Sequence, residues 1–126
     1  MLKLTLCILF AFTAVCMASC PERHTVLAIA YHNEDQEIRA DTLVCNPVGG
    51  THPNATAACD LLESVNGELG AIEPLDRYCR GTDYFANVTI KGTYEGKPID
   101  FKHKYRNGCY ALVRLKVLVE HFLDYK

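Results

Sequence analysis

The spacing of the cysteines constrains this chain more than any other feature of its sequence. Seven cysteines occur in 126 residues, and Cys7 and Cys16 fall in an N-terminal apolar leader. The other cysteines are Cys20, Cys45, Cys59, Cys79 and Cys109. In an oxidising compartment the last four can form two disulfides, for which the sequence alone allows three pairings. Pairing of neighbours is the simplest, and closing loops of that size would contribute about 3 kcal/mol each.

The N-terminus has the pattern of a secretory signal peptide. A single cation, Lys3, precedes an apolar run, and the small residues Ala18 and Ser19 follow it. The apolar run is shorter than a membrane-spanning helix needs. We therefore expect residues 1–19 to be removed and residues 20–126 to form one secreted, extracellular domain.

Two disulfides among Cys45, Cys59, Cys79 and Cys109 leave Cys20 without a partner in the expected domain. It could be lipidated, joined to a second chain, removed with the leader, or remain a mobile thiol without a role. A membrane is expected as a partner only if Cys20 is lipidated. The formal net charge of -2 gives no reason to expect nucleic acid. No Ser/His/Asp grouping and no zinc-ligand spacing occurs, so we expect neither an enzyme nor a metal or other cofactor.

Short segments of alternating apolar and polar residues predict β-strands. Residues 24–31 and 38–44 are expected to form a first antiparallel pair, and residues 88–94 and 97–105 a hairpin whose core-facing side includes His103. Residues 113–119 predict a last strand. The expected fold is α+β, with a five-stranded antiparallel sheet, one or two short helices and two disulfides.

One helix is predicted between the two pairs of strands. Asn54 or Thr56 can cap it, and Gly67 can end it in the left-handed conformation. Its apolar face would consist of Ala58, Leu62 and Val65. The segment before it, residues 46–53, is rich in turn-forming residues and predicts an irregular loop. Residues 67–75 predict a connection with at most one helical turn.

A polar stretch just before the hairpin is the candidate working surface. It consists of Tyr78, Cys79, Arg80, Gly81, Thr82, Asp83 and Tyr84. Because it begins at a cysteine, contains glycine and precedes a strand, it predicts an exposed loop that is pinned at its base. Such a loop loses little further freedom on binding, which suits a protease inhibitor.

Two stretches and several single positions follow the pattern of a known family. The stretches are CNPVGGTHP at residues 45–53 and NGEL at residues 66–69. The single positions, in the family's order, are Cys79, Val88, Gly92, Tyr94, Gly96, Lys97, Asn107 and Cys109. Through them the chain resembles the Streptomyces subtilisin inhibitor family from about Val26 to Phe122.

The resemblance carries several expectations about fold and partners. It implies a five-stranded antiparallel sheet, the disulfides Cys45–Cys59 and Cys79–Cys109, and a homodimer formed through the sheets. It also implies substrate-like inhibition of a serine protease, in which the loop at residues 78–84 enters the active site of the protease.

By position, the resemblance places the scissile bond between Gly81 and Thr82, with Gly81 as the primary-specificity residue. Tyr78 would reach a more distant hydrophobic subsite. The family commonly has Met, Lys or Arg where this chain has Gly81, and glycine fills no pocket. A shift of one residue would make Arg80 the primary residue, cut Arg80–Gly81 and indicate a trypsin-like target. Alternatively, the scaffold serves as a non-inhibitory secreted binding or structural domain.

Four other residues carry narrower expectations. Asn107 could be a spacer that hydrogen-bonds the loop, or a turn residue before the disulfide. Asn54 and Asn87 each begin an Asn-x-Thr sequon and could carry a glycan. His52 is interpreted as a turn histidine bonded to the backbone rather than a metal ligand.

Overall fold

A five-stranded antiparallel sheet forms the centre of the fold. The computed structural model describes residues 24–35, 37–81 and 84–123. The strands are β1 (Thr25–Asn33), β2 (Arg39–Cys45), β3 (Gly49–Gly50), β4 (Ala86–Tyr94) and β5 (Lys97–Tyr105), and they lie in the order β3-β2-β1-β4-β5. The helices are α1 (Ala55–Ser64) and α2 (Gly108–Leu115), with 3-10 turns at Leu69–Ala71, Lys116–Leu118 and Glu120–Phe122. The predicted α+β class, the five-stranded sheet and the two helices are confirmed.

Alternation along β1 decides which face of the sheet the helices cover. Leu27, Ile29 and Tyr31 are buried, whereas Val26 and Ala28, at alternate positions, are exposed. The predicted pair of strands is confirmed, with Leu27 opposite Leu43. The other buried apolar residues of this core include Val88, Ile90, Ala58, Leu62, Ala111, Leu115, Leu118, Val119 and Phe122. The core therefore lies between one face of the sheet and the helices.

Helix α1 follows its predicted position closely. Ala58 and Leu62, one turn apart, are its buried residues. Cys59 is bonded to Cys45, with 5.8 Å between the Cα atoms, so the helix is joined to the end of β2. Asn54 occupies the N-cap position, although its side chain makes no capping hydrogen bond.

The predicted last strand at residues 113–119 is wrong, because this part of the chain is helical. Asn107 caps α2 by accepting a hydrogen bond from the Tyr110 backbone N–H at 3.2 Å. The buried residues are Ala111, Leu112, Leu115, Leu118, Val119 and Phe122. Their intervals of three and four fit helical turns, whereas the alternation from Val113 to Val119 does not match the burial.

Strand β3, which completes the five-stranded sheet, lies where an irregular loop was expected. Gly49 and Gly50 pair with Val44 and Leu43, so the prediction for residues 46–53 is wrong at this point. Gly50 has φ +88°, and a Cβ on it would lie 2.1 Å from the carbonyl oxygen of Thr42. Only glycine allows this close approach.

The hairpin of β4 and β5 is confirmed, but its inner face is less buried than predicted. Gly92 pairs with Ile99, and Tyr94 and Tyr105 are buried near its two ends. His103 is exposed, which corrects its prediction as a core residue. The reason is that β5 is an edge strand, and the core does not extend over His103.

Candidate functional site

The candidate loop leaves the core between the first 3-10 turn and β4. Before it, the Leu75 backbone N–H donates to the Val113 carbonyl at 3.0 Å, which fastens the approaching chain to α2. Cys79 is buried and bonded to Cys109 in the first turn of α2, with 5.8 Å between the Cα atoms. The two disulfides are thus the neighbour pairs that the resemblance implies.

On either side of Cys79 the loop is exposed. Tyr78 keeps 83% of its surface accessible, Tyr84 keeps 53%, and Arg80 and Gly81 are also exposed. Thr82 and Asp83, and with them the expected scissile bond, lie outside the described residues. The described part of the loop can therefore reach a partner without rearrangement of the core.

Two side chains from the start of α2 hold the main chain of the loop. The side-chain amide of Asn107 donates to the carbonyl of Arg80 at 3.0 Å and to that of Gly81 at 3.1 Å. The hydroxyl of Tyr110 donates to the carbonyl of Cys79 at 3.2 Å. Three successive carbonyls are thus bound from one helix end. We call Asn107 and Tyr110 the carbonyl clamp.

The capping bond of α2 also orients the clamp. Because the Asn107 side-chain oxygen accepts from the Tyr110 N–H, the amide nitrogen of the same side chain is directed towards the loop. The sequence left two interpretations of Asn107 open, a spacer that hydrogen-bonds the loop and a turn residue before the disulfide, and its two bonds to the loop agree with the first. No signal in the sequence indicated Tyr110, whose hydroxyl bridges 31 positions of the chain.

Two further features of the loop bear on recognition. The Arg80 guanidinium lies over the Tyr78 ring, 5.9 Å from its centroid. Gly81 has φ +83°, a left-handed conformation that residues with a side chain rarely adopt. The described part of the loop therefore offers a partner its main chain and the exposed side chains of Tyr78 and Arg80.

His52 is a buried polar residue outside the candidate loop. Its Nδ1 accepts from the Asn54 N–H at 3.0 Å, and its Nε2 lies 3.3 Å from the Leu118 carbonyl and donates to it. The interpretation as a turn histidine bonded to the backbone is confirmed. Burial, and then the neighbouring His121, lower the pKa of His52 below its ordinary value.

Two titratable side chains that the sequence did not indicate, His121 and Asp41, lie near His52. The His121 ring meets His52 edge to face, with 4.5 Å between centroids, and its Nε2 bonds to the Asp41 carboxylate. Asp41 and His121 are 80 positions apart, so no local pattern could reveal them. Within residues 24–35, 37–81 and 84–123, no group of His, Cys, Asp or Glu is arranged to hold a metal ion.

The two sequons occupy different settings. Asn54 is exposed at the start of α1, whereas Asn87 is half-buried in β4 and pairs with Lys104 on one side and His32 on the other.

In the described part of the chain, no helix is long and apolar enough to cross a membrane.

Fold and loop together define a small disulfide-bonded domain that presents one loop anchored by its main chain. A model of the subtilisin inhibitor-like family matches residues 23–107. The chain belongs to this family, whose members are protease inhibitors and not enzymes.

Individual relatives agree with that assignment. Protease inhibitor SIL-V1/SIL-V4 of Streptomyces netropsis is 40% identical over 76 residues, which cover 58% of this chain and 69% of the relative. Subtilisin inhibitor-like protein 12 of Streptomyces hygroscopicus is 38% identical over 77 residues, covering 57% and 68%.

A solved structure shares the fold. It is the crystal structure of Streptomyces caespitosus sermetstatin in complex with Bacillus licheniformis subtilisin. The match has a TM-score of 0.60 and 29% identity, and covers 73% of this chain and 92% of the other.

Proposed function

We propose that this chain is a secreted serine protease inhibitor that acts through residues 78–84. The observation that carries the proposal is the carbonyl clamp, which fixes three successive peptide units of an exposed loop beside a disulfide. A protease can bind such a segment as it binds a substrate, at a small cost in ordering entropy. The partner is a serine protease of the subtilisin or trypsin type, and the likeness to sermetstatin supports this class.

Inhibition follows from what the clamp and the disulfide do after attack. The catalytic serine attacks one peptide bond of the loop, and cleavage releases an amine that would leave an ordinary substrate. Here the Cys79–Cys109 disulfide holds the chain before the reactive bond, and for a cut at Arg80–Gly81 the Asn107 bond to the Gly81 carbonyl holds the new amine end beside it. The amine therefore stays near the acyl-enzyme and religation competes with hydrolysis. Matched by position, the reactive bond is Gly81–Thr82, and the alternative is Arg80–Gly81.

The outer face of the sheet supports a homodimer. Val26, Ala28 and Ala30 of β1 point away from the core, opposite Val44, Thr42 and Ala40 of β2. This mostly apolar face is continuous across the neighbouring strands β1 and β2, and Val26 keeps 43% of its surface accessible. A second copy of the chain could bury it. Sedimentation of wild type and Val26→Lys would test this, since the variant should shift towards the monomer.

Titration against a subtilisin and a trypsin tests the proposed function. We expect stoichiometric inhibition of at least one enzyme, with one slowly cut bond in residues 78–84 detected by mass spectrometry of the complex. Rapid degradation by both, or inhibition of neither, would contradict inhibition. The second candidate, a non-inhibitory binding or structural domain, would then remain, and it is favoured by the absence of a side chain at Gly81.

Secretion belongs to the same proposal. Residues 1–23 lie outside the described part, so the leader remains a prediction from the sequence. The mass of the protein recovered from the medium of expressing cells would show whether residues 1–19 are removed and whether Cys20 carries a lipid or a second chain.

A further inference from the structure

We propose that Arg80 is the primary-specificity residue, that the reactive bond is Arg80–Gly81, and that the target is a serine protease with an acidic primary pocket. This proposal rests on the proposed function. It departs from the match by position, which places the reactive bond one residue later. Three separate observations favour it, and they concern the carbonyls, the backbone of Gly81 and the side chain of Arg80.

The first observation is the set of carbonyls that the clamp holds. In an extended strand, successive carbonyls point to opposite sides. The carbonyl of the primary residue must enter the oxyanion hole, so the carbonyls on either side of it face the inhibitor. With Arg80 as primary residue, the carbonyls of Cys79 and Gly81 face inward, where Tyr110 and Asn107 bind them.

The register with Gly81 as primary residue keeps fewer of these carbonyl hydrogen bonds. With Gly81 as primary residue, Arg80 is the one of the three clamped residues whose carbonyl faces inward, so one of the three described contacts is retained. The carbonyls of Cys79 and Gly81 would then point towards the protease, and their hydrogen bonds to Tyr110 and Asn107 would be lost. The Arg80 register preserves two of the three carbonyl contacts, one from each side chain of the clamp.

The second observation is the conformation of Gly81. A substrate-like primary residue is extended, which requires a negative φ, whereas Gly81 has φ +83°. In the Arg80 register this glycine lies on the leaving-group side of the reactive bond. The residue that must be extended is then Arg80, which is not among the residues with positive φ.

The third observation is the side chain that would fill the pocket. Arg80 is exposed, and its guanidinium contacts only weakly the exposed ring of Tyr78, at 5.9 Å. A carboxylate at the base of a primary pocket can bind a guanidinium through two parallel hydrogen bonds. Glycine has no side chain that could enter such a pocket. The chemistry of the loop therefore fits a trypsin-like protease.

Replacement of Arg80 by Met tests the proposal, with Lys102→Met, an exposed cation on β5, as matched control. We expect wild type and the control to inhibit trypsin equally, and Arg80→Met to inhibit it at least about 100-fold more weakly, because a buried charge pair is lost. Mass spectrometry of the wild-type complex should find the cut after Arg80. A cut after Gly81, or unchanged inhibition of trypsin by Arg80→Met, would overturn the register.

Gly81→Met gives an independent answer. If Gly81 were the primary residue, a methionine there would fill the pocket of a subtilisin and strengthen inhibition. In the Arg80 register it strains a left-handed position and weakens inhibition of trypsin without any gain against subtilisin. A gain against subtilisin would contradict the proposal. Failure of the proposed function is distinguishable, because wild type itself would then inhibit neither enzyme.

Discussion

The side-chain nitrogen of Asn107 lies 3.0 Å from the carbonyl oxygen of Arg80, and the side-chain oxygen of the same residue caps the helix that carries Cys109. One side chain thus serves both the stability of α2 and the shape of the loop. Substitutions that separate these two roles can show which of them inhibition depends on.

Asn107→Asp makes that separation. Aspartate caps helices as well as asparagine does, so the hydrogen bond from the Tyr110 backbone N–H, and with it the start of α2, should be kept. It cannot donate to the carbonyls of Arg80 and Gly81, and each lost bond is worth about 1 kcal/mol. In the Arg80 register only the bond to Gly81 is kept in the complex, so we expect inhibition to weaken by about five-fold and the loop to be cut faster. Asn107→Ala is the control, and it should be less stable than Asn107→Asp by about 1 kcal/mol because it loses the cap as well. Unchanged inhibition in the Asp variant would show that the amide does not hold the loop.

Tyr110→Phe removes only the hydroxyl that binds the Cys79 carbonyl. Because one neutral hydrogen bond contributes about 1 kcal/mol, hydrolysis of the bound loop should accelerate by about five-fold. The matched control is Tyr105→Phe, which removes a hydroxyl from a buried tyrosine of β5 outside the loop. The measurement is the rate of appearance of cut inhibitor in a stoichiometric mixture with protease. Equal rates in the two variants would exclude a role for Tyr110.

The sequence predicted those parts of the fold whose signal is local. Alternation located β1, β2, β4 and β5, and the spacing of Ala58 and Leu62 located α1. At the C-terminus the same reasoning failed, because Val113 to Val119 alternates by chance in a segment whose burial follows helical intervals. β3 was missed because two glycines have no side-chain pattern, and their pairing depends on contact with β2.

In the candidate site, too, the sequence predicted the residues that have a local signal and missed the one that depends on tertiary packing. The loop and Asn107 were predictable, since a cysteine, a glycine and the resemblance mark them. Tyr110 was not, because its role depends on where α2 places a hydroxyl relative to a residue 31 positions earlier. Contacts of this kind are set by tertiary packing, and propensity carries no information about them.

The two disulfides should differ in their effect on inhibition. Removal of either pair by double substitution to Ala should cost about 3 kcal/mol of stability, by loop entropy. Loss of Cys79–Cys109 should also free the loop next to its reactive bond and convert the inhibitor into a substrate. Loss of Cys45–Cys59, which joins β2 to α1, should lower the melting temperature but leave the cut bond and slow hydrolysis unchanged below that temperature. Equal loss of inhibition in both variants would contradict this division.

Stability should fall in mild acid because of His52. Its pKa is lowered in the folded protein, mainly by burial and then by His121, although the Leu118 carbonyl and Asp41 oppose the shift. The unfolded chain therefore takes up a proton near the ordinary histidine pKa of about 6.5 while the folded chain does not. Stability should be constant above this pH, decrease below it, and level off once folded His52 is protonated.

Urea unfolding between pH 8 and pH 5 would measure this dependence. His52→Gln should show a shallower decrease in acid, and the control His103→Gln, at an exposed position, should follow wild type. If His52→Gln kept the full dependence on pH, another group would be responsible.

The sequons should differ in occupancy when the chain is secreted by a eukaryotic host. Asn54 is exposed and its side chain makes no capping bond, so a glycan can extend into solvent without loss of a contact. Asn87 is half-buried between two paired strands, where a glycan would cover the outer face of the sheet. We expect one glycan, removed by Asn54→Gln and retained in Asn87→Gln, as read from the mass before and after enzymatic deglycosylation. A glycan that persists in Asn54→Gln would show that acceptance does not follow the exposure of the folded site.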